Sequence, residues 1–426
     1  MAPPGWPELA FSTMAAERIR ILSAVLDKIS FFIFTLSYIV LKTSHKFRIF
    51  IAYAFVSLQK NMALNCGIIG ITNTGKTTLF NCISNTRAES SSFAFSSNKS
   101  NLGIISVPDP RLEKLSAIVQ PQKTTQATVE IVDIPGLTKG SSHGEGIGNQ
   151  FLGDIRNTDA LIHVLRCFDD DQLPHVDGTV DPVRDMETVD LELAVKDLES
   201  VEKRLEKLEK AAKMGEKDAK KGLEVLGALK EHLESFQSVR TARIEPGDKK
   251  YIDDLFLLTA KPVIYVCNVD EATALSGNVY VDRVREALEG QETEILVIAA
   301  GLESDIAELE DQDDRQAFLQ DAGLAEPGVN RLVRSAYSML NLISFFTAGP
   351  KEVRAWAIRR GSTAPQAAGA IHSDLERGFI RAEVIKYQDY LDLGSESACR
   401  DAGKLAVEGK QYIVIDGDVI YVRFNV

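Results

Sequence analysis

Cysteine is scarce in this chain: five among 426 residues (Cys66, Cys82, Cys167, Cys267 and Cys399), widely spread and with no Cys-x-x-Cys pair. That pattern excludes zinc ribbons and a disulfide framework and fits a reducing, cytoplasmic setting. Positive charge is short as well. Lysine and arginine number 48 against 61 aspartates and glutamates, a formal net charge of −13. Such an acidic balance is unsuited to gripping naked nucleic acid over a broad surface, so no extended DNA contact is expected, although a local basic patch stays open. Apolar runs of membrane-crossing length are missing too. The longest, "ISFFIFTLSYIVL" in the first 61 residues, covers about 13 positions, against the roughly 20 that a bilayer needs. Extending it back to Ile21 takes in Asp27 and Lys28. Residues 1–61 therefore stay open between a membrane anchor, an organelle-targeting segment and translated sequence ahead of a start at Met62. The last is the expectation carried forward, because a domain begins cleanly at "MALNCGIIG". A membrane partner is expected only if that segment is a real part of the mature chain.

What the chain does have is apolar content, 45% of its residues, enough for roughly two to four domains. From Ala63 onward, "LNCGII", "TVEIVDI", "ALIHVLRCF", "KPVIYVCNV" and "EILVIAA" read as buried strands separated by helical segments such as "KTTLFNCISN". That alternation predicts an α/β fold with a mostly parallel sheet covered on both faces. Between the third and fourth of these strands the pattern changes. Leu191, Ala194, Leu198, Val201, Leu205, Leu208 and Ala212 make a heptad seam, "KMGEKD" breaks it, and Leu223, Leu226, Leu229, Leu233 and Phe236 continue a second stripe. An antiparallel helical hairpin inserted at about 188–245 is the simplest object with that pattern. Its charged faces are read as solvated surface, with phosphate contact by lysines between Lys203 and Lys221 as the alternative. The last 80 or so residues read as a small α+β unit. It has strands at "EVRAWAI" and "FIRAEVI", a helix over "TAPQAAGAIHSDLERG", and a hairpin over "YIVIDGDVIYVRF" turning at Asp-Gly.

The stretch "GITNTGKT", Gly70 to Thr77, matches G-x-x-x-x-G-K-[ST] in full and lies between a strand and a helix. Gly70 and Gly75 let backbone N–H groups curl round a phosphate at the helix N-terminus, with Asn73, Thr74 and Thr78 completing the lining. Lys76 supplies the charge for β- and γ-phosphates, and the Thr77 hydroxyl suits Mg²⁺. In "VEIVDIPGL", Asp133 is placed to hold the Mg²⁺ shell, and Gly136 to sense the γ-phosphate with a glycine-rich switch behind it. Ras-like GTPases carry a water-orienting Gln after this glycine, but here the residue is Leu137. A leucine cannot orient water, so hydrolysis draws on another group or is slow. Among the histidines, His175 in "DDDQLPHVDG" lies where a loop could swing over the γ-phosphate. His143 sits in the glycine-rich switch, and His163 inside a strand reads as a packed core residue. His175 is the candidate carried forward beside Lys76.

The base is read near "CNVDE". Guanine-specific sites use Asn-Lys-x-Asp, whereas Asn268-Val269-Asp270-Glu271 loses the lysine and lengthens the carboxylate by one methylene. That removes the short acceptor matched to guanine and points to ATP. Asn268 is expected to contact the adenine, and "IAAG", with Ala300 and Gly301, to lie beside it.

With these motifs in order, and with "VPDPRLEKL", "GEGIGNQFL", "FFTAGPKEVRAW" and "TAPQAAGAIHSD" beside them, the chain from Ala63 to Val426 resembles the Obg-like ATPases of YchF type. The resemblance implies a P-loop domain over 62–345, the helical hairpin as a coiled-coil insertion, and a C-terminal TGS domain of β-grasp fold over 346–426. It further implies ATP hydrolysis in preference to GTP with Mg²⁺, and association with the ribosome or a ribosomal subunit. In that family a hydrophobic residue matching Leu137 stands in for the Gln, and a loop histidine matches His175. One departure is "FAFSSNKSNLG" in place of a Cys-Thr-Ile-Glu-Pro run, which puts Ser97 where a Mg²⁺-side threonine is expected. The 346–426 unit carries 11 basic and 11 acidic residues, so ribosome contact rests on the resemblance and not on charge. Competing readings are a GTPase with a degenerate base motif, a nucleotide-gated binding module in which hydrolysis is incidental, and a membrane-tethered regulator.

Overall fold

The computed structural model describes residues 64–85, 101–136, 147–309 and 311–425. The N-terminal segment 1–61, Ser97, Leu137 and His143 lie outside the described residues.

Strand β1 (Asn65–Ile69) runs into helix α1 (Lys76–Asn85), followed by β2 (Asn101–Ser106), α2 (Pro110–Val119), β3 (Lys123–Thr125) and β4 (Thr128–Asp133). Next come α3 (Ile147–Arg156), β5 (Ala160–Arg166), the long pair α4 (Pro182–Lys213) and α5 (Lys217–Glu234), and β6 (Val263–Asn268). The chain continues through α6 (Val279–Ala287), β7 (Glu294–Ile298), α7 (Ala300–Glu308), α8 (Gln312–Asp321) and α9 (Gly328–Met339). These strands form a sheet of order β2-β4-β1-β5-β6-β7, parallel except for β2, which runs antiparallel to β4 at the edge. All five expected strands are present. The wholly buried β5 and β6 explain their unbroken Val/Ile/Leu runs, since both faces are covered by helices. The loops that carry Lys76, Gly136, His175 and Glu271 leave the carboxyl ends of these strands, the usual ligand side of an open α/β sheet.

The hairpin is present, and its inner face follows the expected seam over Ala194, Leu198, Val201, Leu205 and Leu208 against Leu226, Leu229 and Leu233, but not at its ends. Val189, Leu193, Ala194 and Val201 are buried on α4, whereas Leu191 is 42% exposed and Phe236, just past α5, is 77% exposed. The first turns of α4 pack on the sheet and not on α5: Val189 and Leu193 belong to the apolar cluster of β5 and β6. The expected seam therefore loses its first member, Leu191, and begins at Ala194. Asp197, fully buried on α4, accepts from the amides of Leu258 and Thr259 at 2.7 and 2.8 Å and from the Thr259 hydroxyl at 2.7 Å. This carboxylate ties the hairpin to the segment leading into β6.

The C-terminal part comprises β8 (Leu342–Ala348), β9 (Glu352–Arg359), α10 (Ala364–Ile371), α11 (Ser373–Arg377), β10 (Phe379–Ile385), α12 (Tyr387–Leu393), α13 (Glu396–Asp401), β11 (Leu405–Glu408) and β12 (Val419–Phe424). Its sheet has the order β11-β10-β12-β8-β9-β3, so a short strand from near the start of the chain closes one edge. Two expectations are corrected here. The helix over "TAPQAAGAIHSDLERG" is broken at His372, whose extended backbone and ring Nδ1, accepting from the Asp374 amide at 3.2 Å, begin a second short helix. The Asp-Gly segment is not a hairpin between two paired strands. Asp416 turns its carboxylate to the Ser344 amide (3.0 Å) and to Arg111, Asp418 accepts from the Ile415 amide (2.9 Å), and the arm before them bonds to Ser362 and Ala364. Only β12 joins the sheet, antiparallel to β10 and parallel to β8. The Asp416 carboxylate found its partners elsewhere in the chain, which a local turn rule cannot register.

Candidate active site

The loop between β1 and α1 holds three residues at positive φ: Gly70 (146°), Asn73 (63°) and Gly75 (89°). Side chains are barred at both glycines. A Cβ on Gly70 would stand 2.5 Å from the Val164 carbonyl, and one on Gly75 would stand 2.3 Å from Asn268 Nδ2. The loop is therefore wrapped against β5 and β6. Thr74 is buried and its hydroxyl donates to the Ile71 carbonyl at 3.3 Å, while Asn73, Thr77 and Thr78 are exposed.

Lys76 is 6% exposed, and its Nζ donates to the Ile71 carbonyl. Burial pushes its pKa down to about 8, with Asp133 partly opposing the fall. Gly136 is pressed against the same amine: a Cβ there would meet Lys76 Nζ at 3.0 Å and Thr72 at 3.1 Å. The Thr77 hydroxyl donates to Asp133 Oδ2 at 3.1 Å. Asp133 Oδ1 is buried with no hydrogen-bond partner among the described residues, and burial raises the Asp133 pKa against the pull of Thr77 and Lys76. A hydroxyl and a half-satisfied buried carboxylate side by side make an oxygen donor set that fits a hard divalent cation.

At the base end the expectations are redistributed. Asn268 is 5% exposed with its amide committed at both ends. Nδ2 donates to the Thr74 carbonyl (2.9 Å) and Oδ1 accepts from the Ala300 amide (2.9 Å). It clamps the phosphate loop to α7. Val269, 3% exposed, packs in the β5/β6 cluster, so its side chain serves the core. Ala300 is buried at the first turn of α7 and Gly301 is exposed beside it. Glu271 is exposed at the start of a 3₁₀ turn that Asp270 caps through the Thr273 amide (2.9 Å).

His175 has both ring nitrogens engaged. Nε2 lies 2.9 Å from Asp185 Oδ2 at the start of α4, and Nδ1 accepts from the Asp177 amide at 3.1 Å. Its side chain is 3% exposed. His175, Asp177 and Asp185 stand close enough to share a cation. Arg184 already supplies the charge, at 3.5 Å from Asp177 and 3.3 Å from Asp185. The loop itself touches the phosphate loop, since Asn73 Nδ2 donates to the Pro174 carbonyl at 3.1 Å. His163 is core, as read from its strand position: it is 1% exposed, and burial with Arg240 and Lys76 lowers its pKa to about 3.

The sequence reading missed Arg166. This arginine at the end of β5 is 1% exposed and donates to the carbonyls of Phe168 (3.1 Å), Asp170 (3.2 Å) and Leu173 (2.8 Å). Its guanidinium also stacks on the Phe168 ring at 4.8 Å. The signal was an arginine closing an otherwise apolar strand, "ALIHVLR", where a buried charge requires partners. Asp185 was missed as well, and carries no comparable mark.

Comparison with known proteins gives the following. Residues 342–425 match the family model YchF-GTPase_C, described as "Protein of unknown function (DUF933)", and residues 65–217 match MMR_HSR1, "50S ribosome-binding GTPase". The chain is 48% identical over 367 residues to a Bacillus subtilis protein named "Ribosome-binding ATPase YchF", covering 86% of this chain and 100% of that one. It is 46% identical over 365 residues to the Haemophilus influenzae protein of the same name, with the same coverage. Among solved structures it is similar to "Structure of the Schizosaccharomyces pombe YchF GTPase", with TM-score 0.76 and 34% identity over 84% of this chain and 97% of that one.

Proposed function

The chain belongs to the YchF family, and from that premise we propose that it is a ribosome-binding ATPase that uses ATP hydrolysis as a switch. The relatives are named for ribosome binding and ATP hydrolysis. The observation that carries the reading is the meeting of Lys76, Thr77, Asp133 and Gly136 at one point, with a buried amine beside a carboxylate that keeps one oxygen unpaired.

Each residue has a part. Backbone amides from Asn73 to Thr78 cradle the phosphates at the start of α1. Lys76, already desolvated, exchanges the Ile71 carbonyl for a β- or γ-phosphate oxygen. Thr77 and Asp133 would hold Mg²⁺, with Ser97 as a further candidate; bound there, the ion neutralises charge on the β- and γ-oxygens. Gly136 offers its amide to the γ-phosphate, and Leu137 marks a switch without a water-orienting side chain. His175 orients the attacking water once it leaves Asp185, which keeps turnover slow in the protein alone. At the base, Glu271 faces the adenine and Asn268 fixes the distance between base and phosphates, with Ala300 and Gly301 beside the ring. The absence of a lysine at Val269 and of an aspartate at Glu271 sets ATP above GTP.

We assign the nucleotide domain to the first sheet with α4 and α5 as its helical insertion, and the last sheet to a TGS-type domain. The name "GTPase" borne by the fission yeast protein favours GTP as a second reading. Titration of fluorescent ATP and GTP analogues with Mg²⁺ decides between them: ATP binds more tightly on the first reading, and equal affinity or a GTP preference overturns it.

A further inference from the structure

The loop over 167–181 that carries His175 is anchored at both ends to α6. At its start, Asn278 donates from Nδ2 to the Cys167 carbonyl at 2.7 Å, and the same side chain's Oδ1 caps α6 by accepting from the Tyr280 and Val281 amides. Two residues on, the Tyr280 hydroxyl meets both carboxylate oxygens of Asp169, at 3.0 and 2.9 Å. At the far end, Arg283 pairs with Asp181 at 2.8 Å. Between these anchors the loop folds round Arg166 and rests on Asn73 of the phosphate loop.

The origin of α6 gives the anchors meaning. It follows directly from the segment that presents Glu271, and Asn278 Nδ2 also reaches the Thr273 hydroxyl of that segment at 3.4 Å. A purine seated against Glu271 therefore bears on the same short connection that holds the His175 loop. Resting on the ATPase reading above, we infer that Tyr280 and Arg283 are positioning residues that make base identity count in turnover. They fix both ends of the loop that delivers His175. Neither reaches the substrate. With both ends held, the middle of the loop has one arc to travel, and the imidazole arrives at the γ-phosphate in one orientation. Freeing an end multiplies the loop's conformations and lowers the fraction of bound ATP that faces a placed imidazole. That is a loss in kcat and not in binding.

Tyr280 is part-exposed and Arg283 exposed, so Tyr280→Phe and Arg283→Ala leave the fold intact, and steady-state hydrolysis of ATP and GTP with Mg²⁺ tests them. Each is expected to lower kcat for ATP about three- to tenfold, the range of one ordinary lost hydrogen bond. KM for both nucleotides and kcat for GTP should stay within about twofold, a change under half a kcal/mol. Placed on His175→Ala, neither should lower kcat further. Unchanged kcat for ATP, equal losses for ATP and GTP, or losses that multiply with His175→Ala each overturn the inference. The ATPase reading is tested by the unmodified protein and by His175→Ala alone. A histidine variant with native kcat removes His175 and this inference with it, whereas a slow histidine variant beside normal Tyr280 and Arg283 variants removes only the inference.

Discussion

Lys76 concentrates the chemistry of the site in one amine. Burial lowers its pKa from 10.5 to about 8, so the unfolded chain holds that proton more tightly than the folded one. The stability of the nucleotide-free protein therefore gains from this group as pH rises from about 8 towards 10.5. Nucleotide affinity runs the other way, because a polyphosphate needs the charged amine: binding should be flat below pH 8 and weaken towards tenfold per pH unit above it. A pH series of ATP titrations checks this, and an affinity level through pH 9.5 would show that the lysine is not the phosphate ligand. Lys76→Met should weaken ATP binding by about 2–5 kcal/mol, yet leave the nucleotide-free melting temperature equal or higher, since the amine removed bonds a neutral carbonyl and its desolvation outweighs the pull of Asp133. At the base end, Glu271→Asp should move the GTP:ATP affinity ratio upward about tenfold, roughly 1.4 kcal/mol. Adding Val269→Lys to complete the guanine pattern should fail, because that side chain is 3% exposed in the core. Forcing an ammonium there costs about 2–4 kcal/mol of stability, readable as a fall in melting temperature.

At the scale of elements, the joint between α4 and the strand that follows the hairpin rests on Asp197. Its carboxylate satisfies two backbone amides and one hydroxyl in a fully buried place. Asp197→Ala orphans those donors and should destabilise the protein by about 3 kcal/mol or more. Hydrogen exchange should show the loss first in the start of β6 and the middle of α4; protection unchanged there would remove the joint from the account. The helical stripes were legible as far as they pack on each other. They misled at Leu191 and Phe236 because a helix that leaves a sheet and then meets a partner helix changes its buried face along its length.

For the whole molecule, the two sheets are not separable pieces. One apolar cluster contains Cys66, Ile83 and Val164 of the first sheet's layers together with Phe346, Val353, Ile385 and Val419 of the second. Arg111 adds a polar bolt, paired with Asp109 at 2.8 Å and Asp416 at 3.1 Å and lying 5.4 Å over the Phe346 ring. The expected boundary at 346 falls inside β8 and leaves β3 without its neighbour. A fragment over 64–341 should therefore melt well below the full chain and self-associate in size-exclusion chromatography. A monodisperse fragment with native melting temperature would show that the sheets are independent. No helix among the described residues is long and apolar enough to cross a membrane.

The sequence by itself determined whatever is written in consecutive residues. The phosphate loop is such a case, because its glycines, lysine and threonine act through backbone geometry within eight positions, Gly70 to Thr77. So are the parallel strands, whose burial on both faces leaves apolar runs, and the broken guanine motif at Asn268 to Glu271. Tertiary structure alone decided what each of those residues is free to do. Asn268 became a strut because Thr74 and Ala300 close on it from distant parts of the chain. His175 came to rest on Asp185, β3 joined a sheet formed more than 200 residues later, and Asp416 left its hairpin for Ser344 and Arg111. A buried polar group takes the partner that folding brings within about 3 Å. Spacing along the chain carries no record of that partner.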